Sequence, residues 1–434
     1  MEIETLKKSH LKRNIVIAVV LVAIISAIIL TFTKAKYKTT ESIPLVNGTI
    51  NYTPYDLKMV AMYQEENEDY KSIDTVPTSG YTLNEEKSYC EVNDNKDNNI
   101  TIEYQNGRIN FLGMTKKGTK CYLYFDEYVS AKDTILANSK VNSGTPNFSQ
   151  IATANEGVYK TQDDWGDSYY FRGSVNNNWV KFAGYYWRII RINGDGSIRL
   201  IYSGDEESGP VTTGSSTMIN NGVSKVFNSN SDRSEYVGYM YNINQQHGNA
   251  FNSSIKTEMD NWYDNNLKNY PDQISIEAGF CVDREMMSGY SWSSQPDYLH
   301  YAAYERVQMK NTPNLKCSNN VDLYTVSESG KGNHALTNPI GLITADEILM
   351  AGAKSGSTNY KYYLYNNEYY WTMSPYAFGD ATANVFAIFD SGYFGALRVN
   401  HREPGIRPVI NLASDVTLSG TGTSSNPYVV VGAE

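Results

Sequence analysis

Histidine is scarce in this chain: His10, His247, His300, His334 and His401 are the only five, and they are far apart. They form neither H-E-x-x-H nor an i, i+4 pair, which removes a metalloprotease helix. A G-x-S-x-G elbow and a G-x-x-x-x-G-K-[ST] phosphate loop are also missing, so the sequence offers no hydrolase or nucleotide-binding signature. Cysteine is rare too, with four residues, none in C-x-x-C spacing and none beside a histidine in sequence. Zinc and thioredoxin-like chemistry therefore have little support. Basic residues are outnumbered by acidic ones, 37 to 47. Binding nucleic acid needs clustered Lys and Arg, so no nucleic-acid partner is expected.

Long apolar runs are absent with one exception. Residues 15–32 are almost continuously apolar and follow Lys7, Lys8, Lys12 and Arg13. A helix needs about 20 residues to cross a hydrocarbon core of about 30 Å, and 14–33 supplies them. Lys34, Lys36 and Lys38 on the far side nearly balance the positive charge. The orientation therefore rests on the short N-terminus and the long downstream domain, which favour a cytoplasmic tail at 1–13 and exported C-terminal domains. A cleaved signal peptide is the other reading, but the apolar core exceeds the roughly 7 to 15 residues of a signal h-region. The expected location is the cell membrane, single-pass, with the membrane itself a partner through 14–33.

What is abundant is tyrosine, with 36 copies against 13 Phe and 6 Trp. Tyr, Ser, Gly and Asn together suit an adaptable binding surface, although A/T-rich coding would enrich Tyr and Asn by itself. The cysteines fall in two local pairs, Cys90 with Cys121 and Cys281 with Cys317. They read as two disulfides in an oxidising compartment, with free thiols as the alternative.

Along the chain, 34–72 reads as a polar juxtamembrane segment. A small β-sandwich-like module follows at 73–128, marked by the alternation Ile100-Thr101-Ile102-Glu103-Tyr104, an Asn106-Gly107 turn and a second strand at 109–112. Residues 129–164 carry little apolar periodicity and read as a linker. The large domain, 165–413, opens with strands at 185–192 and 197–202 joined by Asn193-Gly194-Asp195-Gly196. That tetrapeptide lacks the other ligands of a calcium loop and reads as a hairpin turn. Ile255, Met259, Trp262 and Tyr263 share a helical face behind Ser254, a candidate N-cap, and Thr344 with Glu347 forms a capping box before Ile348 and Leu349. Strands return at 369–375, 383–388 and 405–412, and residues 414–434 form a strand or tail. Strands at both ends with helices between predict an α+β domain. Trp187 and Trp371 lie in strands with apolar neighbours and are expected in the core.

The ordered set Gly184-Tyr185-Tyr186-Trp187-Arg188-Ile189, the 254–263 helix, Leu342-Ile343-Thr344-Ala345-Asp346-Glu347, Tyr370-Trp371-Thr372-Met373-Ser374-Pro375 and Gly405-Ile406-Arg407-Pro408-Val409 resembles modules of unassigned function in membrane-anchored surface proteins of Gram-positive gut bacteria. The layout also looks similar to the C-type-lectin-like fold of the formylglycine-generating enzymes and bacterial receptor-binding proteins. That resemblance implies an α+β head in which the closing strand returns beside the opening hairpin. It does not carry the enzymes' activity, since no cysteine follows Cys317. Glu403-Pro404-Gly405 keeps two residues of the lectins' Glu-Pro-Asn calcium triplet and reads as a turn.

The expected function is a membrane-anchored surface binding or adhesion protein for an extracellular protein or glycan, with no cofactor, no metal and no catalytic residue assigned. Exposed aromatic and arginine side chains on loops carry most binding energy. Trp292, Tyr298, Tyr301 and Tyr393, with Arg398 and Arg402 as polar anchors, are accordingly the expected ligand residues. Tyr301 and Trp292 packed over the Cys281–Cys317 loop is the competing reading. A carbohydrate-active hydrolase using carboxylates such as Asp163-Asp164 or Glu206-Glu207 is one alternative, and a structural envelope component is another.

Overall fold

The structure, a computed structural model, describes residues 43–45, 48–51, 57–66, 69–77, 80–105, 108–327 and 330–433. The expected cytoplasmic tail and the 14–33 span lie outside the described residues. Among the described residues no helix is long and apolar enough to cross a membrane. The described residues form two compact units, one up to Val129 and one from Ser130.

The smaller unit is built from two sheets. One has the strand order Ile43–Leu45, Gly48–Asn51, Arg108–Leu112, Thr101–Gln105. The other runs Asp69–Ile73, Leu57–Glu66, Thr119–Glu127, Tyr89–Val92, Asn95–Lys96, with Tyr81–Leu83 also paired to Thr119–Glu127. Thr119, Cys121, Leu123 and Phe125 alternate inward along the central strand and meet Ile109 and Phe111 of the first sheet in one core. Lys120, Tyr122 and Tyr124 point the other way, and Tyr63 stacks on Tyr124 at 4.9 Å while Tyr89 stacks on Tyr122 at 5.0 Å. Cys90 and Cys121 are bonded directly across an antiparallel pair. The unit therefore begins well before residue 73: the segment read as juxtamembrane supplies the long strand Leu57–Glu66, whose run of Met59, Val60, Ala61 and Met62 hides the two-residue period.

In the larger unit the strand Tyr185–Ile192 pairs with Ile198–Asp205 on one edge and with Trp179–Phe182 and Gly166–Gly173 on the other. The closing strand Val409–Leu412 lies antiparallel to Ile198–Asp205, beside the opening hairpin. A second sheet has the order Tyr298–His300, Tyr370–Gly379, Thr382–Ile388, Phe394–Arg398. Trp187 and Trp371 are fully buried. The expected helices are Ser254–Asn266, capped by Ser253 rather than Ser254, and Ala345–Ala351 with the capping box of Thr344 and Glu347. The second predicted disulfide, Cys281–Cys317, is present.

The expected α+β class is overturned: the described residues are mostly β, with 36% strand and 14% helix. Both expected helices are present, but they hold only 13 and 7 residues. The strands that tip the balance include polar ones without an apolar stripe, such as Asn155–Asp163, paired along its whole length with Gly166–Gly173. That strand and the helix Ala131–Ala137, with Ala131 and Ile135 buried, occupy the segment read as a linker. The C-terminal segment is likewise integrated, because Tyr428–Val430 pairs with Trp179–Phe182 and Tyr428 is buried.

Candidate functional site

The second sheet carries an aromatic cluster with one exposed ring. Tyr298 sits on its edge strand opposite Gly379 and is 52% exposed. A Cβ on residue 379 would come within 2.5 Å of the Tyr298 ring, so only glycine lets that ring lie against the neighbouring strand. Two residues on, His300 stacks on Tyr304 with ring centroids 3.6 Å apart and planes within 11°. Tyr290 and Tyr376 stand edge-on to His300 at 5.7 and 5.8 Å, and Tyr298 lies at 4.8 Å. Four phenols thus enclose one imidazole.

Hydrogen bonding fixes the ring's tautomer. His300 Nδ1 faces the Tyr376 carbonyl at 3.5 Å, and a carbonyl only accepts, so Nδ1 carries the proton. Nε2 then accepts from the Tyr298 hydroxyl at 2.8 Å. Burial pulls the His300 pKa below its ordinary value, keeping the imidazole neutral. Burial also raises Tyr376, to about 12, helped by the phenols of Tyr304, Tyr298 and Tyr393. At neutral pH the cluster is therefore an uncharged, hydroxyl-bearing aromatic surface. Directly paired residues place His300, Ala377, Asn384 and Arg398 in one row across the sheet. Paired side chains share a face, so Arg398, which is exposed, ends the row that begins at His300.

The expected ligand residues divide. Tyr298 and Arg398 lie on this surface. Tyr393, 38% exposed, sits at the turn after Thr382–Ile388, edge-on to Phe389 at 5.4 Å. Trp292 is half-buried in the loop before the edge strand, and Arg402 is exposed beyond the last strand of the sheet. Tyr301 is a correction: it is 1% exposed, its hydroxyl donates to the Ser234 carbonyl at 2.7 Å, and it is a core residue. Tyr290, His300, Tyr304 and Tyr376 were not anticipated. Tyr298-x-His300 at strand spacing was a usable signal, whereas Tyr376 reaches the cluster through an irregularity between Pro375 and Ala377 that no sequence pattern announces.

Of the carboxylates considered for hydrolysis, Asp163 and Glu206 are ion-paired. Asp163 is buried, with Oδ2 2.6 Å from Arg191 and Oδ1 accepting from the backbone of Trp165 and Gly166. Arg191 and Arg199 both reach Glu347 Oε1, at 2.9 and 2.6 Å, while Oε2 takes the Thr344 backbone N–H and hydroxyl. Burial pushes the Glu347 pKa upward, but the two arginines outweigh it and hold the carboxyl below its ordinary value. Glu347 thus caps its helix and fastens it to the first sheet. Beside it lies a small enclosed chamber of about 30 Å³ lined by Asp164, Asp283 and Arg306 among others. Burial raises both Asp164 and Asp283, and Arg306 pairs with Asp283 and Asp346 at 2.7 and 3.0 Å. Glu206 is bound to Lys181 at the surface. Among the described residues no group of three or more His, Cys, Asp or Glu side chains is arranged to hold a metal ion.

No protein-family description, no curated protein and no solved structure matches this chain.

Proposed function

We propose that the chain is an extracellular binding or adhesion protein, held at the cell membrane by residues 14–33, whose larger unit presents the tyrosine cluster around His300 to an extracellular protein or glycan. The observation that carries this reading is the half-exposed Tyr298 ring, locked over Gly379 and backed by His300, Tyr290 and Tyr304. Rigid aromatic rings lose little conformational entropy on binding, and a sheet holds them in place before the ligand arrives. Two disulfides fit an oxidising, extracellular setting.

The test is a screen of the purified full-length chain on glycan and host-protein arrays, with every hit measured again on Tyr298→Ala, Tyr304→Ala and Arg398→Ala variants. Each substitution is expected to weaken binding at least about tenfold, or about 1.4 kcal/mol. Hits that ignore all three while responding to changes elsewhere on the surface would overturn the assignment.

A further inference from the structure

The surroundings of Tyr298 narrow the chemistry of the ligand. Asp297 precedes it in sequence, and Asp380 follows its partner Gly379; both are exposed. Asp380 is close enough to act with burial, Tyr304 and Tyr290 in raising the pKa of Tyr298. Among the described residues neither carboxylate is engaged in an ion pair, whereas Glu305, the neighbouring acid at the start of the helical segment Glu305–Lys310, is matched by Lys310 at 2.6 Å. Asp380 thus sets an unmatched negative charge near the half-exposed ring, and Asp297 adjoins that ring only in the sequence. Arg398, the cation of the same row, lies three strand spacings from His300, about 14 Å, beyond a Debye length of about 8 Å at physiological salt. An aromatic face carries a negative quadrupole that attracts cations, and a chain of net charge −10 draws them toward its surface.

We propose that the tyrosine cluster binds an alkylammonium group, seated on the half-exposed Tyr298 ring beside Asp380. This rests on the binding reading above. A lysine side chain and a quaternary ammonium headgroup share this chemistry, and both place carbon-bound positive charge against the ring.

The full-length chain is titrated with choline, with Nα-acetyl-lysine methylamide and with 3,3-dimethylbutanol, the uncharged isostere of choline. Tyrosine fluorescence and chemical shifts at the cluster are the readouts. At least one cation is expected to bind saturably, and the isostere about tenfold more weakly or not at all. Tyr298→Ala should lose about tenfold in affinity, as should Asp380→Asn, which should also lose most of the salt dependence. Tyr298 is half-exposed, so its removal should leave the thermal transition in place, and an unchanged transition separates lost binding from lost folding. Preference for choline would identify a headgroup, and preference for the lysine analogue a protein. Equal binding of the isostere, or no binding of either cation, overturns the inference. If an array ligand still depends on Tyr298 in that event, the binding reading stands and only the cationic chemistry falls.

Discussion

The two units of the chain use the same covalent device under opposite conditions. In the smaller unit Cys90–Cys121 joins directly opposed strands in a core of eight buried apolar side chains among the described residues. In the larger unit Cys281–Cys317 ties an irregular segment to a core several times that size, next to the ion pairs around Glu347 and Arg306. Hydrophobic burial scales with the size of the unit, so a cross-link of similar loop length is a large share of one stability and a small share of the other. The smaller unit depends on its staple. The larger one depends on packing and paired charge.

Substitutions test that contrast, beginning with the largest effect. Trp187→Ala should cost the larger unit about 3 to 5 kcal/mol, the usual range for a buried large aromatic, and Trp371→Ala about as much. Glu347→Ala should cost about 3 to 5 kcal/mol, because buried Arg199 would lose its carboxylate partner and Arg191 would keep only Asp163. Calorimetry resolving two transitions should show these changes in one transition only. A shift of both would mean that the units do not unfold separately.

The cysteine pairs come next. Each closes a loop of similar length, 31 and 36 residues apart, worth roughly 3 to 4 kcal/mol in the chain-entropy account. Cys90→Ala with Cys121→Ala should abolish the transition of the smaller unit at 37 °C. Cys281→Ala with Cys317→Ala should lower the larger unit's transition without abolishing it. The reverse outcome would break the comparison.

Tyr301→Phe is a smaller perturbation that separates core from surface. It removes one buried hydrogen bond to Ser234 and should cost about 1 kcal/mol while leaving ligand affinity unchanged. An affinity loss without a stability loss would return Tyr301 to the binding surface.

How far the sequence reveals this arrangement depends on the range of the information. Local codes are legible: Thr344 and Glu347 announce a capping box, Asn193 to Gly196 a hairpin turn, and the apolar neighbours of Trp187 and Trp371 their burial. The pairing of cysteines is legible because each partner lies within the same unit. Strands without an apolar stripe are not, which is why 57–66 and 155–163 read as connecting segments and why the class was misjudged as α+β. The row from His300 through Ala377 and Asn384 to Arg398 is set by the register of strands far apart in sequence, and one slipped residue would turn Arg398 to the opposite face. Tyr301 shows the same dependence at one position, since nothing local distinguishes it from the exposed Tyr298.

The mildest expected difference between the units is in their response to pH. No histidine falls between residues 43 and 129, and histidine is the side chain whose ordinary pKa lies within pH 5 to 8, so the smaller unit's transition should be nearly flat there. The larger unit holds two histidines shifted in opposite directions. His247 donates toward buried Asp322 at 3.0 Å, which, against a desolvation that works the other way, raises its pKa above the ordinary 6.5. Its contribution is complete below pH 6.5 and fades as pH rises through the folded value. His300 is lowered from 6.5 by burial among the four tyrosines. Its contribution is complete above pH 6.5 and fades as pH falls through the folded value. The larger unit should therefore be most stable near pH 6.5 and lose stability on both sides. His247→Asn should remove the decline above that maximum, and His300→Phe the decline below it. A transition that falls with pH on one side only, or a smaller unit that follows the same curve, would contradict this assignment of the two imidazoles.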